Sequence, residues 1–191
     1  MTMTTKRRPM TWTIGLFLVV GALVTSSVLA ADALGFVQSL PGCGPSSGCA
    51  KATSGPWGHI IGWPTSFLGV AWFWGLFLAW VSGPPSRHTL WCIRLGVIGS
   101  LFLGIIMVQG DAICRWCAWT HGFNFSLWIC AESLVFGRAQ PGQRGFARGA
   151  IALVGVTIVL AVLLPIRKAA ITERDAQRLV ESQQQIVEGT S

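Results

Sequence analysis

The chain has 191 residues, of which 52% are hydrophobic and only 11% charged, against roughly 25% charged in an ordinary soluble domain. With a mean hydropathy of +0.58, this excludes an ordinary soluble enzyme and points to an all-α integral membrane protein, because helices satisfy their own backbone polar groups in lipid. The formal net charge of +7 suits short cytosolic loops facing anionic lipid; the basic residues form no aromatic-interleaved stripe, so no nucleic-acid partner is expected.

Lys6, Arg7 and Arg8 open the chain and precede the first apolar run, 12–31. This basic start, apolar stretch and Val28-Leu29-Ala30 also resemble a cleavable signal, but the run is long enough to stay as a span. Further runs of spanning length fall at 62–82, 89–109, 113–136 and 149–166, which predicts five transmembrane helices. Arg94 lies near the start of the third run, within reach of the interface by snorkelling. Trp12, Trp57, Trp63, Trp91, Trp116 and Trp119 sit near segment ends, as interfacial anchors do.

Basic residues fix the orientation. The segment 1–11, Arg87, and Arg138, Arg144 and Arg148 lie on one side, which makes the N-terminus cytosolic. The loop 32–61 and the start of the fourth span then face the periplasm or cell exterior, where disulfides persist. The polar tail 167–191 falls on the same outer side, with its basic residues interleaved with acidic ones.

Two cysteine pairs lie on that outer side. Cys43 and Cys49 flank a Gly/Pro/Ser stretch and are expected in a mobile loop. Cys114 and Cys117 are one helical turn apart at the start of the fourth span, with Asp111 placed to cap the helix and Cys114 in its first turn, where unpaired amides favour a thiolate. Two dithiols at one membrane face can pass electron pairs between soluble proteins and a lipid-borne acceptor. The competing readings are a pair of static structural disulfides or a four-thiolate zinc site, although five residues is a loose gap for a zinc knuckle. His121 and Asn124 follow Cys117 by four and seven residues on about the same helix face, where they could donate to a quinone carbonyl or hydrogen-bond between helices. Cys92 and Cys130 lie within spans and read as small hydrophobes.

The ordered set of Cys43 and Cys49, Trp57-Gly58, Gly62-Trp63-Pro64-Thr65-Ser66-Phe67-Leu68-Gly69, and Asp111 with Cys114-Arg115-Trp116-Cys117 resembles the vitamin K epoxide reductase family, in particular its bacterial quinone-linked members, over about Gly15 to Val135. The resemblance implies a four-helix bundle around a quinone of ubiquinone or menaquinone type, with a fifth transmembrane helix. It makes Cys117 the quinone-facing sulfur, Cys114 its resolving partner, Cys49 the shuttle that bridges to Cys114, and Cys43 the sulfur that meets a thioredoxin-like or DsbA-like soluble protein. The family's serine six residues after the second loop cysteine falls here on Gly55, which leaves Ser54, one position earlier, for its contact with the quinone. Many bacterial members fuse a thioredoxin-like domain after the fifth helix; with no cysteine beyond Cys130, the partner is expected in trans. A DsbB-type oxidase would carry its two cysteine pairs in the reverse order, and a non-enzymatic assembly or transport protein would hold them as fixed bridges.

Overall fold

In a computed structural model the chain is mostly helical, and residues 10–37, 40–43, 47–60, 62–136, 148–159 and 161–163 are described. The elements are α1 (Met10–Ala33), α2 (Gly48–Ser54), a two-residue pairing of β1 (His59–Ile60) with β2 (Trp63–Pro64), α3 (Thr65–Val81), α4 (Arg87–Gln109) and α5 (Arg115–Phe136). A sixth helix, α6, covers 148–159 and 161–163. The chain divides into the units Met1–Thr157 and Ile158–Ser191, and of the second unit only 158–159 and 161–163 are described, all helical. The expected cytosolic segment 1–11 is described only at its last two residues, and the expected tail 167–191 lies outside the described residues.

In α1 the buried positions Gly15, Val19, Ala22, Thr25, Ser26, Leu29 and Ala30 recur every three or four residues, which is the repeat of one helix face. Its other face is also apolar, with Phe17 and Val24 exposed, as a helix set in lipid requires. The hydroxyl of Ser86 starts α4 by accepting from Thr89 N at 3.1 Å, an N-cap; α4 buries Leu90, Ile93 and Val97 and exposes Trp91, Leu95, Ile98 and Ile105. By length and composition α1 and α4 are able to cross a membrane, while α3 and α6 are apolar but shorter. Helix α5 is long enough but more polar than the expected span 113–136 suggested, because Arg115, His121, Asn124 and Glu132 all fall within it.

Helix α1 packs between α3 and α5, and α4 packs on α5, whereas α3 and α4 barely touch. Chain direction alternates. Trp80 near the end of α3 donates Nε1 to Trp12 O at the start of α1, 3.1 Å, and Cys130 in the second half of α5 donates its thiol to Thr11 O, 2.9 Å. The start of α1 therefore lies with the ends of α3 and α5. The main apolar core, including Val19, Ala22, Phe73, Leu76, Trp80, Ile93 and Leu127, occupies this half of the helices. At the other end a small cluster of Leu29, Leu40, Cys49 and Cys114 closes the packing.

Arg94 does not simply snorkel. Its Nε donates to Glu132 Oε1 of α5 at 2.8 Å, Trp128 Nε1 donates to the same oxygen at 2.8 Å, and the guanidinium lies 5.0 Å from the centroid of the Trp91 ring. A charge in an apolar helix is thus paired across α4 and α5.

Candidate redox-active site

The segment between α1 and α3 is more ordered around Cys49 than its Gly/Pro/Ser composition suggested. Ser47 caps α2, its Oγ accepting from Ala50 N at 3.4 Å, so Cys49 lies in the first turn of a short helix. Thr53 Oγ1 donates back to Cys49 O at 3.0 Å. Beyond α2 the chain folds onto itself: Thr65 N and Oγ1 donate to Gly58 O and Trp57 O, at 2.9 and 2.8 Å, and the Trp57 ring meets Phe102 of α4 edge-on at 5.2 Å. Gly48 brings α2 against the backbone of Ile113; any Cβ there would meet the Ile113 carbonyl group and lie 2.8 Å from its nitrogen.

Cys43 and Cys49 are joined as a disulfide. Cys49 is 4% and Cys114 0% exposed, and their sulfurs are 3.2 Å apart. Cys114 is therefore in position to exchange with that disulfide, which requires an approach of one sulfur on another. All three sulfurs lie within 4.8 Å of one another. A metal would need thiolates, and Cys43 and Cys49, bonded to each other, offer none in this form.

Helix α5 starts three residues later than Asp111 capping would require. Asp111 instead takes a left-handed φ of 47° in the turn after α4, and Cys114 itself occupies the cap position: its sulfur accepts from Cys117 N at 3.3 Å and its carbonyl from Ala118 N at 2.9 Å. Cys114 thus stands before the first turn, its sulfur on an amide of the helix N-terminus. Cys117 is half-buried and packs against the same cluster. Trp116 Nε1 donates to Pro41 O at 3.3 Å, tying the loop ahead of Cys43 to α5.

Behind the sulfurs lies a buried polar layer. Thr120 Oγ1 donates to Thr25 Oγ1 at 2.8 Å, and Asn124 Nδ2 donates to Ser100 Oγ at 2.9 Å. Asn124 is 1% exposed, and its Oδ1, like Ser26 Oγ nearer α3, has no hydrogen-bond partner among the described residues. Cys117, Thr120 and Asn124 follow one another at three- and four-residue steps on one face of α5, about 10 Å from end to end at 1.5 Å per residue. His121 is half-buried beside them. The side chain of Ser54 lies outside the described residues.

The four cysteines and Asn124 stand out in the sequence as candidates, whereas Ser47, Ser100, Thr25 and Thr120 do not. A signal existed for the last three: hydroxyls recurring in the middle of apolar runs at the same depth. Nothing local marked Ser47 as a cap within a run of turn residues.

Comparison with known proteins agrees with this arrangement. Neither the curated proteins nor the solved structures compared contain a match to the chain. A family model, described as the vitamin K epoxide reductase family, matches residues 12–131. That interval holds both cysteine pairs, the capped helix between them and the polar layer behind, and it covers more than half of the sequence. The chain belongs to the vitamin K epoxide reductase family, a family of membrane oxidoreductases.

Proposed function

We propose that the protein is a multi-pass thiol–disulfide oxidoreductase of the inner membrane, N-terminus cytosolic, that takes electron pairs from an extracytosolic thioredoxin-like or DsbA-like protein. The pair passes through Cys43 and Cys49, then Cys114 and Cys117, to a membrane quinone, and so supports disulfide formation. One observation carries the reading: the 3.2 Å separation of Cys49 and Cys114, which come from segments 65 residues apart.

The exchange balances as follows. A thiolate of the partner attacks Cys43, releasing Cys49; the partner's second thiol then resolves the mixed disulfide, and the partner leaves oxidised with both loop cysteines reduced. Cys49 thiolate attacks Cys114 of an oxidised Cys114–Cys117 pair, and Cys117 departs as thiolate. Cys43 next attacks Cys49, restoring the loop disulfide and freeing Cys114. Two electrons have moved inward, and the thiols of Cys114 and Cys117 hold the protons. The arrangement described above, with the loop pair bonded and Cys114 and Cys117 free, corresponds to this point of the cycle.

A quinone, when bound, supplies the oxidant, accepting two electrons and two protons. The residues present fit such a group. Polar side chains buried in a membrane bundle mark a functional interior, and the unpartnered Asn124 Oδ1 belongs to a side chain two turns inward from Cys117. Cys117 faces the group, and His121, Asn124 and Ser54 are the residues that would hold it. Helices α1, α3, α4 and α5 form the bundle around it, and α6 is the fifth crossing.

The test is quinone reduction by the purified full chain with a reduced thioredoxin-like protein as donor. Cys117→Ala is expected to remain folded and to lose quinone reduction. Reduction by Cys117→Ala at the wild-type rate would remove Cys117 from its role.

A further inference from the structure

Three sulfurs, not two, converge at the cysteine end of the bundle. Those of Cys43, Cys49 and Cys114 all lie within 4.8 Å of one another, so a single point sits within about 2.8 Å of all three, close to the ~2.3 Å of a zinc–thiolate bond. They arrive from three separate segments: the turn closed by Cys43 N donating to Leu40 O at 2.8 Å, helix α2, and the residue that starts α5. Among the described residues the cluster includes no carboxylate or imidazole, and Leu29 and Leu40 pack around it. An all-sulfur set in apolar surroundings suits a soft ion such as zinc and offers nothing to Mg²⁺ or Ca²⁺, which take oxygen.

The loop disulfide withholds two of these ligands. In the proposed relay, however, a reduced partner also meets chains whose Cys114 and Cys117 are already thiols, and it then leaves Cys43 and Cys49 reduced as well. With no quinone to take the electrons, all three thiols stand together. Once unbonded, the loop sulfurs settle at van der Waals separation, near the ~3.8 Å that two sulfurs on one zinc adopt. Cys114 is already supported for such a role. Its sulfur accepts from Cys117 N at 3.3 Å, a contact that steadies a ligating atom from outside the metal's own shell. Cys49 and Cys114 are buried, so an ion enters past the half-buried Cys43.

We infer that the fully reduced protein binds one Zn²⁺ through the thiolates of Cys43, Cys49 and Cys114, with water in the fourth position, and that the ion holds the relay in its reduced state. Binding transfers no electrons: three thiols give up three protons to solvent and three Zn–S bonds form. The metal must leave before Cys43 and Cys49 can pair again. The holding effect rests on the relay proposed above; metal binding needs only that the loop disulfide be reducible.

The test is anaerobic titration of the full chain in lipid nanodiscs with Cd²⁺, whose thiolate charge-transfer absorption counts the sulfurs bound, followed by displacement with Zn²⁺. One Cd²⁺ held by three thiolates is expected after complete reduction, and none at the same concentrations with the loop disulfide intact. Cys43→Ser, Cys49→Ser and Cys114→Ser should each weaken binding by more than the ~10–100-fold that loss of an outer supporting contact costs. Cys117→Ser, which keeps the supporting amide, should change it little. No binding by the reduced chain would overturn the inference. So would binding that survives Cys43→Ser and is lost with Cys117→Ser, because the helix pair alone would then be the chelator. Zn²⁺ added to the reduced wild-type chain should also stop reoxidation by a short-chain quinone until a chelator is added; reoxidation at the metal-free rate with Zn²⁺ bound would overturn the holding role. A chain that binds Cd²⁺ through the three sulfurs but passes electrons to no quinone would sink the proposed function and leave the metal site standing.

Discussion

Gly48 sets how closely Cys49 approaches Cys114, because α2 rests there directly on the Ile113 backbone, one residue before Cys114. A methyl group has nowhere to go, and overpacking of a fixed contact costs on the order of 1–3 kcal/mol. Gly48→Ala is expected to slow transfer from the loop pair to Cys114 about tenfold or more, measured by stopped-flow reduction with the soluble partner. Reduction of Cys114 and Cys117 by a small dithiol, which bypasses the loop, should stay near the wild-type rate. Ser47→Ala removes only the α2 cap, worth about 1 kcal/mol, so its effect on the same transfer should be the smaller of the two. At this scale the spacing of Cys114 and Cys117 was legible from the sequence, since one helical turn is a local property. The cap was not: whether Asp111 or Cys114 starts α5 is decided by the left-handed turn at Asp111, which the residue types alone do not specify.

Among the helices, apolar runs located α1, α3 and α4 to within a few residues of their ends, because a run apolar on all sides needs no periodicity to be found. Helix α2 was hidden, since its seven residues sit among Gly, Pro and Ser that read equally well as turn. The pairing of Arg94 with Glu132 was hidden for another reason: it joins positions 38 apart in sequence, and only the packing of α4 on α5 brings them together. Glu132 Oε1 accepts from both Arg94 and Trp128, so Glu132→Ala is expected to lower the thermal midpoint of the purified protein. Glu132→Gln keeps an acceptor for both donors and should lower it less. Equal midpoints for the two variants would show that the shared acceptor contributes nothing to holding α4 on α5.

For the molecule as a whole, the alternation of chain direction brings the end of α1, the start of α3, the end of α4 and the start of α5 to one end, and both cysteine pairs are found there. Two apolar runs between the cysteine pairs, 62–82 and 89–109, had already implied a shared end before any packing was considered. The depth ordering behind it was not predicted as a layer: sulfurs first, then Thr25, Thr120, Ser100 and Asn124, then the apolar core. It emerges only when α1, α4 and α5 are set side by side, because each contributes one or two polar residues that look incidental in isolation. Asn124→Leu, which replaces the carboxamide with an apolar group of similar size, should weaken quinone binding while leaving exchange between Cys49 and Cys114 intact, read from quinone KM and from the rate of loop-pair reoxidation. The relay itself depends on contact between the loop and α5 in the membrane-embedded chain. Its most direct measurement is mass spectrometry of the double variant Cys43→Ala, Cys117→Ala after mild oxidation and alkylation: a Cys49–Cys114 disulfide in most molecules is predicted, and Cys49 and Cys114 both recovered as separately alkylated free thiols would contradict it.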